Sequence, residues 1–327
     1  MKIQTLGWLI GFTALASSAS ILACSQAEVV CQAGHAGSTL AFAAKYFPVG
    51  TPGAACVLPG DEVGFETYHP KGGGDDGTQP DFAVPSLVAL QTGTMGQKII
   101  DKKAAGSVDP DGVIGVKDDG MGGMTHFIEK HPKHPAYALG SFATVSPEAD
   151  GFCVMAAPAP AVQNFPLIPA VPPDPMAVPP DPGSPEVPAE AVKYEWTNVK
   201  VYVTASAQGT QFSGHLKYTD NACAAEYDVA GVWPSAACGK DVDDGKGGMK
   251  TVPDNTACCP NPDPIGGRAA GSGINPDFPV KCDPDLLLCV LDIKGPSELP
   301  ALNPTWALDK DGVATGICAL TPAATAK

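Results

Sequence analysis

Eleven cysteines in a chain of 327 residues restrict its possible folds more than any other feature of the sequence. If the chain is exported to an oxidising compartment, cysteines in this number predict a framework of disulfide bonds. Cys24 ends an apolar N-terminal run and has a different explanation. The ten that remain are an even number, which permits complete pairing, and they are Cys31, Cys56, Cys153, Cys223, Cys238, Cys258, Cys259, Cys282, Cys289 and Cys318.

The N-terminus has the layout of a secretory signal peptide: Met1 and Lys2, an apolar run, then small residues before Cys24. The apolar run is too short to span a bilayer. "ILAC", ending at Cys24, resembles the lipobox of bacterial lipoproteins. The resemblance implies that residues 1–23 are a lipoprotein signal peptide and that acyl chains such as palmitate are attached at Cys24. The alternative is ordinary secretion, with Cys24 inside the signal or paired elsewhere.

The anchor and the charge together predict where the protein lies. Several acyl chains hold a protein at a membrane durably, because each buried methylene is worth about 0.8 kcal/mol. Ser25, where an aspartate commonly retains lipoproteins at the inner membrane, favours the outer membrane, with the periplasmic or surface face left open. Without residues 1–23 the chain has 19 basic and 35 acidic residues, a net charge of 19 − 35 = −16. This charge argues against a nucleic-acid partner and leaves a protein or an envelope polymer.

A segment with twelve prolines, residues 158–190, divides the chain into an N-terminal part, 24–157, and a C-terminal part, 191–327. Proline fixes φ and removes a donor, so we expect an extended excursion or linker without ladder hydrogen bonds. Three cysteines after Cys24 precede this segment and seven follow it. Complete oxidation therefore requires a bridge between the two parts, which favours a single β-rich body.

Alternating β-branched and aromatic residues predict several short strands on both sides of the proline segment. The fold class is therefore mainly β, an antiparallel sandwich or barrel-like sheet with long Gly/Pro-rich loops, stapled by disulfides. One helix is predicted, over Thr94–Gly106. The predicted strands lie within residues 194–207, 210–219, 223–233, 38–49, 62–69, 86–92 and 138–145.

For the disulfides we expect a local bridge from Cys31 to Cys56 and a bridge from Cys153 across the proline segment. The neighbours Cys258 and Cys259 would form a strained ring if bonded to each other, so each should have a different partner.

Two kinds of metal site are conceivable. Thioether and imidazole groups bind copper, and imidazole with carboxylate binds zinc. Such groups cluster in one stretch at Met121, Met124, His126, Glu129, His131 and His134, although prolines prevent a helix that would align them. Acidic glycine loops near residues 72, 109, 241 and 309 could hold calcium, but none has the EF-hand register. A solvated loop and ordinary turns are the alternatives.

Two stretches, "YEWTNVKVYVTASAQGTQFSGHLKYT" and "GSGINPDFPVKCDPDLLLCV", resemble sequences of uncharacterised cysteine-rich lipoproteins of myxobacteria and their relatives. The resemblance covers much of the chain after residue 23. It implies a shared fold and attachment to the outer membrane, and it implies no activity.

Motif searches for a nucleophile elbow, a phosphate-binding loop, a zinc protease helix or a haem attachment site find nothing in the sequence. The leading hypothesis is a lipid-anchored envelope protein without catalysis or cofactor, whose loops serve binding or structural contact. A metal-binding envelope lipoprotein is the first alternative. A hydrolase whose Ser/His/Asp residues come together only in the fold is the second.

Overall fold

A computed structural model describes residues 29–33, 41–53, 56–73, 79–104, 114–118, 124–128, 136–173, 176, 182–221, 223–263, 270–302 and 318. Cys24 and the signal-like segment therefore lie outside the described residues. No helix in the described part of the chain is both long and apolar enough to cross a membrane.

The described residues form seventeen strands, one α-helix and two short 3₁₀ turns, at Asn255–Cys258 and Pro296–Glu298. In chain order the strands and the helix are β1 (Phe42–Pro48), β2 (Gly60–Tyr68), β3 (Lys71–Gly73), β4 (Gln79–Pro80), β5 (Leu87–Thr92), α1 (Gly93–Ala104), β6 (Ile114–Asp118), β7 (Met124–Ile128), β8 (Ala138–Ser141), β9 (Phe152–Val154), β10 (Ala161–Phe165), β11 (Glu190–Val203), β12 (Gln208–Asp220), β13 (Cys223–Val232), β14 (Gly239–Asp243), β15 (Met249–Pro253), β16 (Val280–Cys282) and β17 (Cys289–Leu291).

Nine strands form one antiparallel sheet in the order β10-β11-β12-β13-β1-β2-β5-β8, with β9 also pairing with β11. The sheet curls so that its two ends meet: β8 is bridged to the segment between β9 and β10 through Leu139 with Ala159, and Phe142 lies opposite Met155. The prediction of a mainly β, barrel-like antiparallel sheet is confirmed. The seven predicted strand regions are β11, β12, β13, β1, β2, β5 and β8, and the predicted helix is α1.

The inner face of the sheet encloses the larger apolar core. Alternate residues of the central strands point into it, because neighbouring side chains of a strand lie on opposite faces. The largest of these buried side chains are Phe42, Tyr46, Tyr194, Trp196, Phe212, Leu216 and Tyr227. Helix α1 contributes Met95 and Ile99 to the same core. The inner core therefore joins residues from both sides of the proline segment.

A second apolar core lies on the outer face of the sheet, under the C-terminal segment 233–302. Ala43, Ala230 and Val232 from the sheet pack there with Ile274, Phe278 and Leu291 from that segment. Two polar contacts fix the segment in place: Lys45 pairs with the buried Asp283 at 2.7 Å, and the buried Gln211 amide hydrogen-bonds both the N–H and the C=O of Ala301.

Five disulfides pair all ten cysteines, with Cα–Cα distances of 5.4–5.7 Å. The pairs are Cys31–Cys153, Cys56–Cys223, Cys238–Cys282, Cys258–Cys289 and Cys259–Cys318. The expected local bridge between Cys31 and Cys56 is wrong, and the bridge that crosses the proline segment starts from Cys56 rather than Cys153. The reason is strand pairing. Because β1 pairs with β13, the turn after β1 that holds Cys56 lies beside the start of β13 at Cys223.

The proline segment contains more regular structure than its composition predicts. Strand β10 lies within it and pairs with β11, so the expectation of no ladder hydrogen bonds is wrong for these five residues, which contain no proline. Farther along, Ile168 bridges Val187 and Val171 bridges Ser184. The arms of the segment therefore run out from the sheet and return beside each other.

Candidate functional site

An open cleft of about 580 Å³ lies on the outer face of the sheet, beside the C-terminal segment. One side consists of strand residues and the other of the turn around Pro296. The lining residues are Phe47, Pro48, Asp150, Phe152, Asn198, Lys200, Ser213, Gly214, His215, Asp228, Lys294, Gly295, Pro296, Ser297 and Leu299.

A bulge in β11 shapes the floor of this cleft. The register between β11 and β12 shifts between Thr197 and Lys200, and Asn198 adopts a φ of 52°. Asparagine tolerates this left-handed conformation better than most residues. The extra residue changes which positions face inward, so Val199 is buried, whereas Asn198 and Lys200 both lie at the cleft.

His215 is the most constrained polar side chain of the cleft. Its Nδ1 lies 3.0 Å from Asp228 Oδ1, and its Nε2 lies 3.6 Å from Glu226 Oε2. An ionised carboxylate can only accept a hydrogen bond, so Nδ1 donates to Asp228. The contact follows from strand register, because His215 on β12 is paired with Asp228 on β13. The imidazole is thus oriented by two carboxylates and remains partly open to solvent.

Ser213 lies two residues before His215 on the same strand, so serine, histidine and aspartate share one face of the sheet. The pair of His215 and Asp228 has the base-to-carboxylate contact of a catalytic triad. The second contact of a triad is missing. Among the described residues no hydrogen bond joins Ser213 to His215, whose Nε2 faces Glu226 instead. Ser213, His215 and Asp228 therefore share one face of the cleft, with only the pair of His215 and Asp228 in hydrogen-bond contact.

The cationic and anionic groups of the cleft differ in their partners. Asp228 accepts from His215, and Asp150 Oδ1 accepts the N–H of Phe152 at 3.1 Å. Lys200 and Lys294 are exposed, and within the described part of the chain neither ammonium has a carboxylate at ion-pair distance. The lysines are therefore free to meet a ligand, whereas the carboxylates already have protein partners.

A second polar cluster lies on the inner side of the sheet, at the start of α1. Both carboxylate oxygens of Asp61 accept the N–H of Thr94, at 3.2 and 3.1 Å, and so cap the helix. Burial raises the pKa of Asp61 to about 6, although the hydrogen bonds from Thr94 oppose the rise. Burial, assisted by the charge of Asp61, also raises the pKa of the Tyr46 and Tyr194 phenols. The two tyrosines are buried, whereas Asp61 and Thr94 are half-buried.

The other half of α1 is held by ion pairs. Lys98 contacts Glu190 and lies 3.0 Å from Asp220, and Lys102 lies 2.9 Å from Glu190. Partial burial alone would raise the pKa of Glu190, but the hydrogen bonds and charges of the two lysines outweigh it, and the pKa is lowered. These contacts fasten α1 to β11 and β12.

Most residues of the predicted metal site lie outside the described part of the chain. Met124 and His126 lie on β7, opposite Asp118 and Val116 of β6, and nothing is described of their side chains. Met121, Glu129, His131 and His134 lie outside the described residues. Three cysteine sulfurs, of Cys238, Cys258 and Cys289, lie within 4.8 Å of one another, but all three belong to disulfides and are not thiolate ligands.

Of the four acidic glycine loops, the structure describes the one from Asp241 in full, and it is the turn between β14 and β15. Asp244 accepts the N–H groups of Lys246 and Gly248, and Asp243 accepts that of Gly245. These hydrogen bonds lower the pKa of Asp244. The aspartates serve the turn itself, as expected of ordinary turn residues.

Sequence reasoning did not single out the residues of the cleft. Their signal is weak, because His215 and Lys200 are single polar residues in strands whose apolar residues dominate the pattern. The strand prediction does contain the relevant information: Ser213 and His215 have the same parity and must share a face.

A curled antiparallel sheet with one cleft wall made by a disulfide-rich C-terminal segment defines a cross-linked β protein with a surface site. The family model MlpA matches residues 40–234, which is more than half of the chain. The chain therefore belongs to the MlpA family.

One relative from Myxococcus xanthus, named "Putative lipoprotein MlpA", is 41% identical over 96 residues. The match covers 29% of this chain and 33% of that relative, so the chain spans about a third of the length of the curated relative it matches. No solved structure matches the chain.

Proposed function

We propose that this protein is a lipid-anchored protein of the bacterial cell envelope whose β body works as a binding module. Two facts support the anchor: the relative from Myxococcus xanthus is named a lipoprotein, and "ILAC" of this chain ends at Cys24. A diacylglyceryl group replaces the thiol hydrogen of Cys24, and its acyl chains hold the body at the outer membrane.

The cleft is the observation that supports binding. A binding site is typically a concavity with apolar walls and a few oriented polar groups, and volumes of about 300–1,000 Å³ are usual. This cleft has Phe47, Phe152 and Leu299 as apolar surface, and His215 is oriented by its contact with Asp228. The missing contact between Ser213 and His215 favours binding over hydrolysis.

Two measurements on native protein test the anchor. Mass spectrometry of the N-terminal peptide should find acylated Cys24, and the protein should enter the detergent phase of a cloud-point separation. In the variant Cys24→Ala no acylated N-terminal peptide should be found. A wild-type N-terminus at another residue, or wild-type protein in the aqueous phase, would refute the anchor.

The binding role is tested with an aromatic probe, N-phenyl-1-naphthylamine, whose fluorescence rises in an apolar site. We expect saturable binding to the wild type and its loss in Ser213→Trp, because an indole at this position occupies the cleft. Circular dichroism and a melting curve establish that the variant is folded. Equal binding by a folded Ser213→Trp variant would show that the cleft is not the site.

The metal-binding alternative stays a prediction from the sequence, since the described residues supply no contact that favours it. Calorimetric titration with copper or zinc tests it directly. Saturable heat that disappears in a double variant, His126→Ala with His131→Ala, would support the site, and no saturable heat would exclude it.

A further inference from the structure

We infer that the cleft selects ligands that carry an anionic group next to an apolar one, with Lys200 and Lys294 binding the anion. This inference rests on the proposed binding role of the cleft. It concerns a carboxylate, sulfonate or phosphate joined to an aromatic or aliphatic body, and it does not depend on which of these acids the natural ligand carries.

The first argument comes from the balance of free charges. The whole chain carries a net charge of −15, and two exposed ammoniums line this one cleft. Other exposed lysines of the described part of the chain, such as Lys217 and Lys246, also have no ion pair there, so it is the shared position at the cleft that distinguishes Lys200 and Lys294. Lys200 and Lys294 line the cleft from opposite sides, one on β11 and one on the C-terminal segment.

The second argument comes from the carboxylates at the cleft. Asp228 is hydrogen-bonded to His215, and Asp150 to the N–H of Phe152. A cationic ligand would have to compete with these contacts. An anionic ligand meets two ammoniums that have no carboxylate at ion-pair distance among the described residues, whereas each of the two carboxylates already accepts a hydrogen bond.

The third argument comes from the apolar surface beside the lysines. Phe152 is 7% exposed and packs against Tyr202, with ring centroids 5.4 Å apart. The apolar surface that a ligand can reach is therefore supplied mainly by Phe47, Pro296 and Leu299, which are half-buried, with the Phe152 ring beneath them. A purely hydrophilic anion would leave this surface in contact with water. An apolar body attached to the anion covers it and gains the hydrophobic effect.

The test uses two probes with the same aromatic framework. 1-Anilinonaphthalene-8-sulfonate is anionic, and N-phenyl-1-naphthylamine is its neutral counterpart. We expect the wild type to bind the sulfonate more tightly. An exposed charge contact is worth about 0.2–1 kcal/mol. Each of Lys200→Gln and Lys294→Gln should therefore weaken binding of the sulfonate by up to about fivefold. Binding of the neutral probe should hardly change.

Lys246→Gln is the matched control. Lys246 is an exposed lysine of the β14–β15 turn and does not line the cleft. It loses the same charge, so it reports any effect of net charge alone. Raising the salt concentration should weaken binding of the sulfonate and leave binding of the neutral probe unchanged, because salt screens exposed charges.

Different outcomes test the binding role of the cleft and the anionic nature of its ligand. If neither probe binds, or if Ser213→Trp binds both as the wild type does, the binding role of the cleft fails. Two results would leave the cleft as a binding site but overturn the inference of an anionic ligand. One is equal affinity of the two probes for the cleft. The other is that Lys246→Gln weakens binding of the sulfonate as much as Lys200→Gln and Lys294→Gln do.

Discussion

Replacing Asp61 with asparagine should stabilise the fold at neutral pH. The pKa of Asp61 is raised from 3.8 to about 6 because its carboxyl group is buried. A pKa higher by 6 − 3.8 = 2.2 corresponds to about 3 kcal/mol at 1.36 kcal/mol per pKa unit, and the ionised group destabilises the folded state by this amount at pH 7. Asparagine keeps one oxygen that can accept the N–H of Thr94. Allowing about 1 kcal/mol for a weakened hydrogen bond, we expect a net gain of about 2 kcal/mol.

The sign of the pH dependence follows from the direction of the pKa change. Between pH 3.8 and about 6 the folded protein holds a proton on Asp61 that the unfolded chain has released. The stability contributed by this group is therefore fully present below pH 3.8 and is lost as the pH rises through about 6. Asparagine does not titrate. The advantage of the variant should be near zero at pH 3.5 and complete at pH 7.5.

Urea unfolding of the disulfide-intact protein at these two pH values measures the effect. Asp101→Asn is the control, since Asp101 is an exposed carboxylate on the same helix. It accounts for the general relief of repulsion in a chain with a net charge of −15. A gain from Asp61→Asn that equals that of Asp101→Asn, or that is the same at both pH values, would contradict the claim that burial of this carboxylate opposes folding.

Three further predictions concern how the parts of the fold are joined. Gln211→Leu should cost about 2–4 kcal/mol, because it leaves the buried N–H and C=O of Ala301 without partners, and hydrogen exchange at residues 299–302 should rise. Lys98→Met should lower the free energy of unfolding, measured in urea, by about 1–3 kcal/mol at pH 7 and by less below pH 4. The pKa of its partner Glu190 is lowered, so the stability from this ion pair is lost as Glu190 is protonated. An equal cost at both pH values would contradict this. Replacing both Cys56 and Cys223 with alanine should lower the free energy of unfolding by about 5 kcal/mol, because the disulfide closes a loop between residues 167 positions apart. A loss below about 1 kcal/mol would show that the unfolded chain is not expanded in this region.

Strand positions were predictable because their signal is local. In β12 burial alternates over residues 212–219 and in β13 over 224–229, and the predicted strands match the observed ones to within three residues. In β11 the buried positions are Val192, Tyr194 and Trp196 before the bulge, and Val199, Val201, Tyr202 and Val203 after it. The alternation changes parity at Asn198, so a single-period pattern describes only half of this strand correctly.

Disulfide pairing was not predictable, because it depends on which strands become neighbours. Cys31 and Cys56 are close in sequence, which favours a local bridge. The structure instead places Cys31 beside residues that follow β8, where its N–H donates to Val145 and its sulfur reaches Cys153. Knowledge of the sheet order would have been needed to see this, and antiparallel order beyond adjacent hairpins has no signature in a single sequence.

The cleft was not predictable for the same reason. The disulfides divide into two sets: Cys31–Cys153 and Cys56–Cys223 cross-link the sheet and the segments beside it, while the other three join cysteines within residues 238–318. None of the five links one set of residues to the other, so the wall around Pro296 is held against the sheet without a covalent bond of its own. Its position depends on the second apolar core, on the pair of Lys45 and Asp283 and on the amide of Gln211. Gln211→Leu should therefore alter probe binding, although Gln211 does not line the cleft. Unchanged binding in that variant would show that apolar packing alone fixes the position of the wall.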